Sequence, residues 1–247
     1  MRVLLYDIET SPILGYSWGR FEVNLVHVIE ESRIISVAWK WLGDKEIHCL
    51  ALPSFPGYKK DPKNNKQLVQ ALHKLISKAD IAVGHNVDNF DDKTSNAAFI
   101  EHNLIPPPPH KTIDTLKVAR SRFRFSSNKL DELGIRLKVG RKVETGGFSL
   151  WKGCMDGSMR AWARMKKYNM GDVSLLERVY LKLRPWMKNH PDMNARDRHT
   201  GCPVCRSTNL AKNGLMATHR GVKQRYLCRD CGKSCITKMI GRTEVYA

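Results

Sequence analysis

Residues 3–10 read Val3-Leu4-Leu5-Tyr6-Asp7-Ile8-Glu9-Thr10, and this stretch decides the fold. Its apolar residues open a buried strand. Asp7 and Glu9 stand one residue apart, so on a strand their side chains leave the same face, because side chains alternate with a period of two. Paired carboxylates offer the oxygen ligands that magnesium and manganese prefer. Two later stretches extend the pattern. Asn89-Phe90-Asp91 follows a second apolar run, Ile81-Ala82-Val83, and Tyr168 and Asp172 lie four residues apart in a helical segment. Residues at i and i+4 share a helix face, so the last two can approach one substrate together. Such an acidic set can hold two divalent ions ~3.5–4 Å apart, which activate a water, stabilise a leaving oxygen and neutralise phosphate charge.

Outward from that strand, Arg33 to Trp41 and Glu46 to Leu52 read as two more, antiparallel around the Gly43-Asp44 turn. Residues 65–78 place Leu68, Leu72, Leu75 and Ile76 on one helix face. Ile81 to Val83 is a short buried strand, followed by a helix from Asp91 to His102 and a break at Pro106 to Pro109. Asn128 to Leu137 reads as helical and the glycine-rich Val143 to Asp156 as a loop near the site. A helix begins at Ser158, resumes through Val173 to Leu183, and ends at Pro185. Strands first, then helices, predict an α/β fold: a mixed sheet with helices on its faces. Trp151, Trp162 and the Met155, Met159 and Met165 group read as core packing, and Cys49 and Cys154 as buried thiols.

The chain has 247 residues and a net charge of +18. A folded protein this basic meets a polyanion, with nucleic acid the leading candidate and a merely solvated basic surface the alternative. The charge is uneven. Residues 183–247 carry 13 Lys and Arg against 4 Asp and Glu, a far denser positive charge than the rest. No apolar run approaches the ~20 residues of a membrane span. The expectation is a soluble, intracellular protein with no membrane partner.

Four of the seven cysteines form Cys202-Pro203-Val204-Cys205 and Cys228-Arg229-Asp230-Cys231, a C-x2-C-x22-C-x2-C spacing. Two such knuckles deliver four thiolates to one tetrahedral Zn²⁺, and four protein ligands leave no open position, so the ion is structural. Cys235 has a poorer spacing. So small a module draws most of its folding free energy from the metal. Arg206, Lys212, Arg220, Lys223, Arg225, Arg229 and Lys233 surround the knuckles, with Tyr226 placed to stack on a base. The expectation is a zinc ribbon that grips nucleic acid, with protein docking as the competitor. The domains expected are 1–187, a polar linker 188–200, and the ribbon 201–247.

The acidic motifs resemble those of the DEDD (DnaQ-like) 3′–5′ exonuclease superfamily, which has an RNase H-like fold. Asp7-Ile8-Glu9-Thr10 is similar to its first motif. Gly84-His85-Asn86 through Asn89-Phe90-Asp91 resembles the second, and Tyr168-Asn169-Met170-Gly171-Asp172 the third, in the tyrosine-bearing (DEDDy) form. The match covers about residues 1–185, and the Leu183-Arg184-Pro185-Trp186 ending is similar to phage-encoded members. The resemblance implies two Mg²⁺ or Mn²⁺ held by Asp7, Glu9, Asp91 and Asp172, with Asp88 and Asp92 as alternatives to Asp91. It implies that Tyr168 orients the attacking water and that Thr10 offers its backbone N–H to the terminal nucleotide. Asn86 reads as a substrate contact or, equally, as a turn-forming residue after a strand, and Arg225 and Tyr226 read as nucleic-acid contacts of the ribbon. The catalytic histidine of other branches is not required, so His85, His102 and His110 read as ordinary polar residues. The implied activity is removal of nucleotides from 3′ ends of single-stranded DNA, with replication or repair proteins as partners and, for a phage-encoded chain, the host cytoplasm as location. An exoribonuclease and a non-catalytic nucleic-acid-binding ribbon protein are the alternatives.

Overall fold

Strand alternation in the first ten residues is realised as β1 (Val3–Thr10), where Asp7 and Glu9 are half-buried and Tyr6 and Ile8 fully buried. The structure is a computed structural model and describes residues 1–21, 24–197, 199–219 and 221–236. Arg220 and residues 237–247, read above as parts of the ribbon, lie outside the described residues. A small exposed hairpin follows, β2 (Leu14–Tyr16) and β3 (His27–Glu30). Then come β4 (Ile34–Trp41) and β5 (His48–Ala51), antiparallel as expected, with Ser36 opposite Ala51. The chain continues through α1 (Lys66–Ile76), β6 (Ile81–Gly84), α2 (Asp91–Glu101) and β7 (Lys111–Asp114). Four helices close the first part: α3 (Thr115–Arg122), α4 (Leu130–Arg136), α5 (Ser149–Met155) and α6 (Met159–Leu183).

The main sheet has the order β5-β4-β1-β6-β7. β1 is central, antiparallel to β4 and parallel to β6, and β6 is parallel to β7. Helices cover both faces. Leu4, Tyr6 and Ile8 pack with Leu68 and Leu72 of α1, Phe99 of α2 and Trp162 of α6. Leu5, Val83 and Ile113 pack on the other side with Leu133 of α4 and with Val173, Leu176 and Val179 of α6. The fold is the mixed, helix-flanked, RNase H-like sheet that the motifs implied. α6 contributes its first half to one core and its second half to the other. The changeover falls within Tyr168 to Asp172, where Tyr168 packs on the first core and Met170 on the second.

Several expectations are corrected. The segment Val143 to Asp156 is not all loop, because Ser149 to Met155 form α5, which buries Leu150 and Cys154. Met159 is 62% exposed, unlike the buried Met165, because it opens α6 at the surface. Cys49 is only half-buried, its thiol 3.4 Å from the Ser36 hydroxyl. Residues 188–200 carry no helix or strand among those described, yet Met193 and Asn194 are buried.

The last part pairs β8 (Leu210–Thr218) with β9 (Gly221–Cys228), and β9 with β10 (Ser234–Ile236). It is tied to the first part by the Lys233 ammonium, which donates to the Met187 carbonyl at 2.6 Å, and by the Met193 N–H, which donates to the Pro203 carbonyl at 2.7 Å. Among the described residues no helix is long and apolar enough to cross a membrane.

Candidate metal centres

Carboxylate oxygens of Asp7, Glu9 and Asp172 lie within 4.8 Å of one another. β1 supplies the first two from one face, and α6 supplies the third from more than 160 residues further along the chain. Asn169, fully buried one turn before Asp172, fixes the junction. Its amide donates to Asp7 Oδ2 at 2.7 Å, and its own Oδ1 accepts from the Ser36 hydroxyl at 2.8 Å. Asp91 stands beside the trio rather than within it. The β1–β6 ladder pairs only Val3 to Leu5, and Asp91 Oδ1 takes the Ile8 N–H beyond it at 3.1 Å. A carboxylate at the first position of α2 is also favoured by the helix dipole. Asp88 pairs instead with Lys117 at 2.7 Å, and Asp92 is less buried than Asp91.

Crowding these acids away from water makes their charged forms costly. Burial, then the Asp91, Glu9 and Asp172 charges, hold Asp7 well above the usual carboxylate range. Glu9 is pushed up to about 8 by burial and by Asp172, and Asp91 to about 7 by burial against the Ile8 hydrogen bond. Asp172 is raised by burial, opposed by Lys142.

Lys142 is a residue the motifs did not disclose. It lies in the loop before α5, and its ammonium is 2.7 Å from Asp172 Oδ2 and 3.0 Å from the Tyr168 hydroxyl. Its backbone N–H donates to Asp131 at 2.5 Å, which anchors the loop there. Burial opposes the ammonium, but Asp172 and then Tyr168 outweigh it and hold Lys142 above the usual lysine range. Burial and the Asp172 charge likewise raise Tyr168, so its phenol stays neutral. Trp151 of α5 packs edge-on against the Tyr168 ring, with centroids 5.9 Å apart.

The donor set fits divalent cations. All the converging groups are carboxylates, their charge is only partly offset by one lysine, and Asp172 Oδ1 is buried without a hydrogen-bond partner among the described residues. Asn86 has φ +70° and its N–H donates to Asp114, which marks it as a turn residue. Asp114 also caps α3, accepting from Leu116 at 2.9 Å. Thr10 ends β1 just past an irregularity in its pairing with β4.

The second centre is the cysteine set. Cys202, Cys205, Cys228 and Cys231 bring their sulfurs within 4.8 Å of one another, with Cys202–Cys231 at 3.7 Å and Cys205–Cys228 at 3.6 Å. A tetrahedron with Zn–S near 2.3 Å spaces its sulfurs ~3.8 Å apart, so the set could hold zinc. Cys235 is not part of the group. Burial pushes the Cys228 thiol up, but the Cys231 and Asp230 N–H groups outweigh this and bring it to about 7. Arg225 and Tyr226 are neighbours on β9 and so face opposite sides of the ribbon sheet.

A carboxylate cluster at the end of the central strand of an RNase H-like sheet defines a nuclease-type fold, a class that works with divalent metals. The chain belongs to the RNase_H superfamily, whose sequence profile matches residues 31–184. That span includes Asp91, Tyr168 and Asp172 and begins after Asp7 and Glu9. Among solved structures the chain is similar to the family B DNA polymerase of the hyperthermophilic archaeon Pyrobaculum calidifontis, with a TM-score of 0.51 and 13% identity. The likeness covers 75% of this chain and 25% of the polymerase, and it shows the shared fold. No curated protein matches the sequence.

Proposed function

We propose that the protein is a 3′→5′ exonuclease of the DEDDy type, acting on single-stranded DNA with two Mg²⁺ or Mn²⁺, and that its basic ribbon holds one structural Zn²⁺ and assists nucleic-acid binding. The observation that carries this reading is the convergence of Asp7, Glu9 and Asp172, with Asp91 alongside. These four carboxylates would hold the divalent ions, which supply an acidified water and charge neutralisation at the phosphate. Asn169 keeps Asp7 aimed into the site. Tyr168, a neutral phenol, orients the water through its hydroxyl. Lys142 balances charge at Asp172 and presents a cation near the same hydroxyl. Replication or repair proteins are the partners this activity suits.

The test uses strands labelled at the 5′ end, in DNA and RNA versions, with Mg²⁺, Mn²⁺ or no added divalent ion. A metal-dependent ladder shortening from the 3′ end supports the reading, and its strength on each sugar identifies the substrate. Binding without any shortening, in either metal, would replace the enzyme with a nucleic-acid-binding protein.

A further inference from the structure

A cleft of about 710 Å³ separates the end of α6 from the second cysteine knuckle. Arg122, Lys182, Trp186 and Lys188 line it from the first part of the chain, and Gly232 and Lys233 from the ribbon. We propose that this cleft is a second nucleic-acid site, gripping the phosphates of a single strand and stacking a base on Trp186. The choice of ligand rests on the nuclease reading.

Charge is the first argument. Among the described residues no carboxylate lines the cleft, and none of its four cations forms an ion pair. Arg122 and Lys233 line the cleft together, one from each side of the junction. Unpaired like charges held together cost free energy in the free protein, and a polyanion relieves that cost. Lys233 is also fixed, through its 2.6 Å hydrogen bond to the Met187 carbonyl, so the two walls are registered before anything binds.

The indole is the second argument. Trp186 is 63% exposed, yet its ring is braced by Phe123 at 5.5 Å and 68°. Phe123 in turn stacks on Phe125 at 5.0 Å. A braced aromatic face among cations is the arrangement that holds single strands with little sequence preference. An acidic protein would use the cations but not require the ring.

Trp186 lies 14 residues beyond Asp172, about 20 Å at ~1.5 Å per residue. A strand stacked at ~3.4 Å per nucleotide needs about six nucleotides to cover that distance. Long strands can therefore use both sites, and strands of about four nucleotides cannot.

The experiment measures binding of fluorescein-labelled strands of about 20 nucleotides by anisotropy across a salt series. The binding arm uses the zinc-loaded full chain without added Mg²⁺ or Mn²⁺, and a parallel cutting arm adds Mn²⁺. Trp186→Ala should weaken binding about five- to a hundredfold. Lys182→Ser with Lys188→Ser should reduce the slope of log affinity against log salt by about 1.4, at ~0.7 per lost phosphate contact. Both should cut strands of about four nucleotides at the wild-type rate. Unchanged affinity and slope in folded, zinc-loaded variants would overturn the proposal, and would leave an acidic protein as the better ligand. A wild type that binds through the cleft but shortens no strand would sink the exonuclease reading alone. Normal shortening by variants whose affinity is unchanged would sink the cleft alone.

Discussion

Asn169 donates from its amide to Asp7 at 2.7 Å and is itself held by Ser36 at 2.8 Å. This chain of contacts orients a carboxylate that would otherwise rotate, and it joins α6 to β1 at the site. Groups that orient metal ligands typically change affinity or activity ~10–100-fold when removed. Asn169→Ala should therefore raise the Mn²⁺ concentration giving half-maximal activity by about tenfold or more, while affinity for a single strand changes little. An unchanged Mn²⁺ dependence would show that the contact is only structural.

Among the described residues, Lys142 is the one cation within ion-pair distance of Asp172. Removing it leaves buried carboxylates repelling one another, and breaking such a pair from one side is strongly destabilising. Lys142→Met should melt several degrees below wild type without divalent ions. Saturating Mg²⁺ should then raise its melting temperature more than it raises the wild type's. Equal shifts in both proteins would separate Lys142 from the metal site.

The pH dependence follows from the raised carboxyls. Glu9 at about 8 and Asp91 at about 7 bind protons more tightly folded than unfolded. Their contribution to stability is fully present below the ordinary carboxylate range near ~4 and is lost as pH rises through ~7 to ~8. Without divalent ions, the melting temperature should fall across this window, and Glu9→Gln should flatten the fall. Mg²⁺ should stabilise most at the alkaline end. A wild type and Glu9→Gln protein with the same pH profile would contradict this.

The cysteine set makes a separate prediction. Cys228→Ser removes one of four thiolates whose spacing fits a tetrahedral ion. The variant should carry far less than about one zinc per chain, and β8 to β10 should lose hydrogen-exchange protection. β1 and β6 should keep theirs, since their core is built elsewhere. Retained zinc and retained protection would argue that the ribbon folds without the ion.

Much of this was legible because local period and burial coincide. β1 is buried before Asp7, and α1 shows its Leu68, Leu72 and Ile76 stripe directly. The β4–β5 hairpin is marked by its turn. What escaped lacks such a signal. β2 and β3 are exposed at nearly every position, so no alternation marks them. α5 has only seven residues and follows two glycines, so composition masks it. Asn169 stood inside a recognised motif, but its contact with Asp7 spans 162 residues. Lys142 meets Tyr168 over 26 residues, and no spacing rule finds it among so many lysines.

The most direct measurement is single-turnover cutting of a 5′-labelled single strand by wild type, Asp7→Asn and Asp172→Asn, with Mn²⁺ present and binding followed in parallel. The account predicts stepwise shortening from the 3′ end by wild type, and a loss of at least about a thousandfold in both variants with strand binding retained. Cutting that survives in either variant, or that begins inside the strand, would contradict it.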